Sequence, residues 1–232
     1  MVIKPIIAAV QNFYILTWDV GLSIFNLLTP NLKPGHVIPE GHPGAGGSWP
    51  EYIAPKEGDS RCSCPALDAL ANHGILPHDG KGIPLQELTR VVRATYNFSP
   101  SLCYFVPLFC ARMLGKDYNK DVVDLSELDL HNGIEHDALL TRQDLYHEPN
   151  QATPHLPYIE ELLASPSGKA VDGSLGAPST SSTMLTIMGG RVKDLESFLV
   201  EERIPDGWEP KILSRNGLTI LGFNRTAMKV GY

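Results

Sequence analysis

Cysteine is scarce in this chain: Cys62, Cys64, Cys103 and Cys110 are the only four among 232 residues. So few exclude a disulfide scaffold. Cys103 and Cys110 share an apolar run, Leu102–Arg112, that reads as helical. Their spacing puts them about 10 Å apart along a helix axis, too far for a bridge unless Pro107 bends the helix, and both are expected to be buried small residues. Charge is sparse too, at 19% of residues, with 19 basic against 26 acidic side chains and a net charge of −7. With no basic run or base-stacking motif, a nucleic-acid surface is excluded. No apolar stretch is uninterrupted for the length of a membrane span: the best candidate, near the N-terminus, is broken by Gln11, Asn12 and Asp19.

What is present points to one sizeable core behind an N-terminal extension. Residues 1–29 form the first part. Lys4, Gln11, Asp19, Ser23 and Asn26 fall close to one line, so a helix here carries a narrow polar stripe and a broad apolar face that wants an apolar partner. A membrane interface, packing on the protein's own body and a degenerate signal sequence all fit; no small-x-small cleavage site follows. Residues 30–59, with six prolines and five glycines from Pro30 to Pro55, form an arm without regular structure. Residues 60–232 form the main domain. Within it, Pro84–Tyr96 and Leu102–Leu114 repeat at helical spacing. The second is almost wholly apolar and expected to be central, with Phe105, Phe109 and Met113 in the core. The stretch 147–180 reads as loop, and 209–232 carries no motif; Asn97 and Asn224 sit in weak glycosylation sequons.

The chemistry is expected in Ser60-Arg61-Cys62-Ser63-Cys64-Pro65-Ala66-Leu67-Asp68-Ala69-Leu70-Ala71-Asn72-His73-Gly74 and the His78-Asp79-Gly80 that follows. Pro65 suits a first helical position, Ala66–Ala71 favour helix and Gly74 stops it. Cys64 then caps the helix, where unpaired N–H groups and the helix dipole favour a thiolate, a nucleophile or metal ligand. Read from the residues alone, Cys62 and Cys64 could equally be a redox pair or inert.

That run resembles the proximal segment of the fungal haem-thiolate peroxidases, the chloroperoxidase and unspecific peroxygenase family, apart from Ser63 and Asp68. Trp49–Pro55 resembles the family's lead-in. A second block, Leu130–Asp144, resembles the family's distal block through Glu135, His136, Asp137, Thr141 and Arg142, with Leu139 where a serine ligand is usual. The resemblance implies a mostly α-helical, single haem-binding domain. It implies haem b held by Cys64 as axial ligand, and a magnesium or manganese ion at a haem propionate, bound by Glu135 and the main-chain oxygen of His136. It also implies hydrogen peroxide and a small apolar organic molecule as substrates. A hard cation suits such oxygen ligands. The family's distal general acid–base glutamate falls near Thr180, ahead of a helix expected over Ser181–Gly190, and no carboxylate stands between Asp172 and Asp194. His136 is therefore the expected catalytic proton handler, with Asp172 or a water on Thr180 as alternatives.

Three functions follow in order of expectation. The first is a fungal peroxidase or peroxygenase, of secondary metabolism, in the secretory pathway, membrane-associated or secreted, with residues 3–29 against a membrane surface. The second is a haem-binding protein or non-redox haem catalyst that has lost the distal acid. The third is a zinc hydrolase using His73, His78 and Asp79. Oligomeric state is not readable.

Overall fold

A computed structural model describes residues 3–137, 139–164 and 192–228. The protein is mostly helical. In chain order the helices are α1 (Ile3–Leu28), α2 (Pro65–Asn72), α3 (Leu85–Tyr96), α4 (Pro100–Met113), α5 (Leu156–Ala164), α6 (Val192–Val200) and α7 (Ile220–Met228). Two two-residue strands, β1 (Ile83–Pro84) and β2 (Val122–Val123), pair antiparallel, Ile83 opposite Val123. The arm has no regular structure beyond one 3₁₀ turn at Ala45–Gly47.

The main core gathers around α2. Leu70 and Ala71 pack with Leu85, Leu88 and Val91 of α3, Cys110 and Ala111 of α4, and Phe198 and Trp208 from the C-terminal side. Its aromatic centre joins distant segments: Trp208 lies edge-on to Tyr96 and Phe198, and Trp49 of the arm donates its indole N–H to the Trp208 carbonyl at 3.0 Å. α4 begins at a Ser99 cap and carries Pro107 without a break. Cys103 and Cys110 are buried free thiols along it, as their spacing requires. The helix is not central, however. Val106, Phe109 and Met113 are exposed on one side, so Phe109 and Met113 are not core residues. A run of apolar residues cannot say whether one flank lacks a cover.

The structure also places helix α5 inside the stretch read as loop. Leu156, Ile159 and Leu163 recur at helical spacing, and Ile159 is buried against Leu195 and Leu199 of α6. Pro154 and Pro157 look like breakers in the sequence, yet Pro157 stands in the first turn, where proline is tolerated. The helix expected over Ser181–Gly190, together with Thr180 and Asp172, lies outside the described residues.

α1 reverses the orientation that its composition suggests. The polar stripe faces inward. Asp19 is wholly buried and accepts from the Ser101 hydroxyl and from the Ile220 and Leu221 N–H groups at 2.9 and 3.0 Å, capping α7 with a carboxylate. Ser23 meets Thr219 at 2.8 Å, Asn26 pairs with the backbone of Asn216 and Gly217, and Arg112 reaches Gln11 and Asn12. The helix thus packs on the protein's own body, but through its hydrogen-bonding side, and its apolar face points out. No helix among the described residues is long and apolar enough to cross a membrane.

Gly80 shows how tightly the proximal segment is folded. It adopts φ +66°, and a Cβ there would stand 2.0 Å from the Ser60 carbonyl oxygen. Gly80→Ala is therefore expected to cost roughly 2–4 kcal/mol in urea unfolding. A loss within 0.5 kcal/mol would mean that the turn relaxes freely.

Candidate active site

α2 is short, eight residues, and its position is set by what grips its ends. At the N-terminus, Pro65 occupies the first turn and Cys64 is the extended cap residue, φ −92°, ψ 99°. The Cys64 carbonyl accepts the Leu67 N–H at 3.1 Å and its side chain makes no cap hydrogen bond, while the nearby N–H groups of Ala66 and Leu67 hold its thiol down. The side chain is exposed, yet burial is the largest influence on its thiol, pushing it up to about 11. Asp68 adds to the rise, while the two N–H groups and the Arg142 guanidinium oppose it. In the metal-free protein, burial therefore works against the thiolate that the helix cap favours. A metal ion would displace the thiol proton, since a coordinating thiol is deprotonated outright. Cys62 is buried, its thiol pushed up by burial and the Asp68 charge, and both cysteines are free, not paired.

At the C-terminus of α2, Asn72 and His73 tie the helix to both sides. Asn72 is fully buried; its carbonyl oxygen accepts from Arg61 at 2.7 and 3.0 Å and its amide donates to the Glu202 carbonyl. His73 lies 2.6 Å from the Pro50 carbonyl through Nδ1 and accepts the Ile204 N–H at 3.1 Å through Nε2. Those two bonds assign the proton to Nδ1 and use both ring nitrogens. Burial also holds the imidazole below its ordinary value, favouring the neutral form. His78 faces the Ile53 carbonyl and Asp59. The zinc reading of His73, His78 and Asp79 is thereby corrected: the histidines are structural, because hydrogen bonds to the lead-in segment already occupy them.

The second block folds as a turn, not a helix, with a bridge between His131 and Glu135. Glu135 is buried. Its Oε2 lies 3.1 Å from His131 Nδ1, while Oε1 is buried with no hydrogen-bond partner. An orphaned buried carboxylate oxygen is costly, and it fits a missing cation. No group of three or more His, Cys, Asp or Glu side chains converges on a metal site among the described residues, so a cation here would take one carboxylate oxygen with carbonyl, water or cofactor oxygens. His136 is exposed, and its Nδ1 lies 3.0 Å from the Asp137 carbonyl. With Nδ1 as donor, Nε2 is left as an acceptor.

Two acidic groups that the sequence did not single out connect these parts. Asp129 accepts the Ser63 N–H at 2.8 Å and senses the charge of Glu135, so it stands between the motifs; burial raises its carboxyl. Glu202 pairs with the buried Arg142 at 2.9 Å. Arg142 also donates to the carbonyls of Gln151 and Thr141, so it fastens the second block to the chain after α6. Asp129 and Glu202 carry no motif signature of their own; contacts with partners 66 and 60 residues away mark them.

The spacing of the thiol at its helix cap and the orphaned carboxylate agree with the sequence comparison. The description of peroxidase family 2 matches residues 50–177, more than half of the chain. The chain belongs to peroxidase family 2. Among curated members of that family it is similar to a chloroperoxidase of Leptoxyphium fumago, 34% identical over 112 residues, covering 44% of this chain and 30% of the relative. It is also similar to a dothistromin biosynthesis peroxidase of Dothistroma septosporum, 28% identical over 130 residues, covering 49% and 31%. An aromatic peroxygenase of Coprinellus radians is 28% identical over 140 residues, covering 47% and 53%. The matched segments span between about a third and a half of the relatives' own length. Membership of peroxidase family 2 implies a haem cofactor, and the residues present fit one: an exposed cysteine at a helix cap, and a buried carboxylate oxygen without a partner in the fold.

Proposed function

We propose that this protein is a haem-thiolate peroxidase or peroxygenase that uses hydrogen peroxide to oxidise or oxygenate a small apolar organic molecule, in fungal secondary metabolism. The observation that carries the reading is Cys64 itself, an exposed free cysteine at the N-terminal cap of α2, with the Ala66 and Leu67 N–H groups holding its thiol down against burial. Haem b bound there supplies the peroxide-dependent oxidising chemistry, its thiolate ligand donating electron density. The two N–H donors stabilise negative charge on sulphur, and Arg142 adds a positive field. Glu135 offers Oε1 to a magnesium or manganese ion, with the main-chain oxygen of His136 as a further ligand. His136 Nε2 is the acceptor we assign to proton handling. The named activities of the relatives, chlorination, dothistromin biosynthesis and aromatic peroxygenation, support an organic substrate by analogy.

We place residues 1–29 as an anchoring helix, 30–59 as an arm and 60–232 as the catalytic domain, entering the secretory pathway and then secreted or held at a membrane surface by the outward face of α1. Haem titration tests the core of the proposal. The wild-type protein is expected to give the red-shifted Soret band of a thiolate-ligated ferrous carbonyl, and Cys64→Ala to lose it. An unchanged spectrum in Cys64→Ala would overturn the ligand assignment. Glu135→Gln is expected to lose bound magnesium or manganese by elemental analysis while keeping the haem band, because Oε1 has no partner in the fold. Metal retained at wild-type stoichiometry would place the cation elsewhere.

A second reading, a haem protein that does not activate peroxide, is favoured by one observation: no carboxylate stands between Asp172 and Asp194. Loss of a general acid–base costs about a hundred- to ten-thousand-fold in rate. Holoprotein that turns over a thioether with peroxide at ordinary enzymatic rates would dismiss it.

A further inference from the structure

The outward face of α1 is apolar along its whole described length. Val10, Phe13 and Leu27 are 62%, 74% and 83% exposed, and Ile6, Tyr14, Ile24 and Leu28 continue the face. Its only described acidic residue, Asp19, points inward. Val106 and Phe109 of α4 and Leu221 and Phe223 of α7, the two helices that α1 packs against, are exposed as well. Isolated apolar side chains on a surface need no explanation, but a continuous face about 34 Å long, from Ile6 to Leu28, does.

Beside this face lies a cleft of about 1120 Å³ between α1, the arm and α3. α1 contributes Val10, Tyr14, Ile15 and Trp18 to its lining, and Arg90, Arg93 and Arg215 line it as well. No aspartate or glutamate lines it, in a protein whose net charge is −7. Arg90 is engaged by Glu87. Arg93 and Arg215 are exposed and have no carboxylate partner among the described residues. Tyrosine and tryptophan together with arginines in one cleft match the interfacial layer of a bilayer, where amphipathic rings sit at headgroup level and guanidinium binds phosphate.

We propose that this cleft binds the headgroup of an anionic phospholipid, its phosphate on Arg93 and Arg215, while the apolar face of α1 lies in the acyl boundary as a monotopic dock. The inference rests on the membrane reading given above and deepens it by naming the lipid and its site. The hydrogen bonds of Asp19, Ser23 and Asn26 hold α1 flat on the protein, so the helix lies in the plane of the interface. A bilayer is favoured over a second copy of the chain as the cover because of the unpaired arginines beside the face. A copy presenting the same cleft would bring like charges together.

The test is flotation of the purified protein with vesicles of phosphatidylcholine alone and of phosphatidylcholine with phosphatidylserine. Each arginine near an anionic surface contributes about fivefold in affinity, so the phosphatidylserine vesicles should bind about 25-fold more tightly. The double variant Arg93→Gln/Arg215→Gln should bind both vesicles alike, at the affinity for phosphatidylcholine. Phe13→Glu/Leu27→Glu, which changes only exposed positions, should abolish flotation with both. Equal wild-type binding to the two vesicles would overturn the headgroup site and leave the membrane reading standing. No flotation with either would overturn both, and if size-exclusion then shows a dimer that Phe13→Glu/Leu27→Glu converts to monomer, the cover is a second copy.

Discussion

Arg142→Met is expected to lower the unfolding free energy by about 3–5 kcal/mol at pH 8, the cost of leaving a buried charge without its partner. Arg142 is almost wholly buried and supplies the cation for Glu202, whose carboxyl burial raises to about 7 even with that partner present. Asp68, nearby, is raised to about 8 by burial and by the Glu202 charge. At pH 5 the loss should shrink to about 1–2 kcal/mol, because Glu202 can take up a proton and only the hydrogen bonds to Glu202, Gln151 and Thr141 are forfeited. The wild-type protein should itself show the sign of this arrangement. Carboxyls raised in the folded state bind more protons there than in the unfolded chain, where ordinary values are 3.8 and 4.5. Stability therefore falls as the pH rises from that range towards 8. Glu202→Gln should flatten the slope. Urea titrations at the two pH values decide the matter, and an equal Arg142→Met penalty at both would show that Glu202 is not the group left unpaired.

The second large effect is at Asp19. Asp19→Ala removes one carboxylate and strands the Ile220 and Leu221 N–H groups, while the Ser101 hydroxyl keeps Ser99 Oγ as a partner. Each buried unsatisfied group costs about 1–3 kcal/mol, and the helix loses a favourable anion at its N-terminus, so a total near 3–5 kcal/mol is expected. Asp19→Asn, which keeps one acceptor oxygen, should cost about half as much. Limited proteolysis offers a second measure, with α1 and α7 becoming cleavable together in Asp19→Ala. A penalty below 1 kcal/mol, with α7 still protected, would mean that α1 is only loosely attached.

These two residues mark how far the sequence could be read. The α2 turn was legible because local chemistry determines it: Pro65 in the first turn, alanines behind it and Gly74 at φ +63° closing the helix. The free thiols of Cys103 and Cys110 followed from axial rise alone. Periodicity also grouped the polar residues of α1 on one side correctly, but it cannot say which side faces the protein. That was decided by partners 82 and 201 residues away. The Arg142–Glu202 pair and the clasp of His73 on Pro50 and Ile204 were hidden for the same reason. α5 was missed because a proline has opposite meanings inside a helix and in its first turn.

The bond between Asp19 and Ile220 also orders events in time. Its partners are 201 residues apart, and a ribosome adding about 5–20 residues per second separates their emergence by about 10–40 s. For that interval α1 is synthesised but has neither its helix to cap nor its bonds to residues 216–221, and Ser101 and Arg112 join it only about halfway through. Both of its faces are then available to whatever meets the nascent chain first. The docked arrangement, polar side inward and apolar side outward, is settled only after translation has passed residue 221.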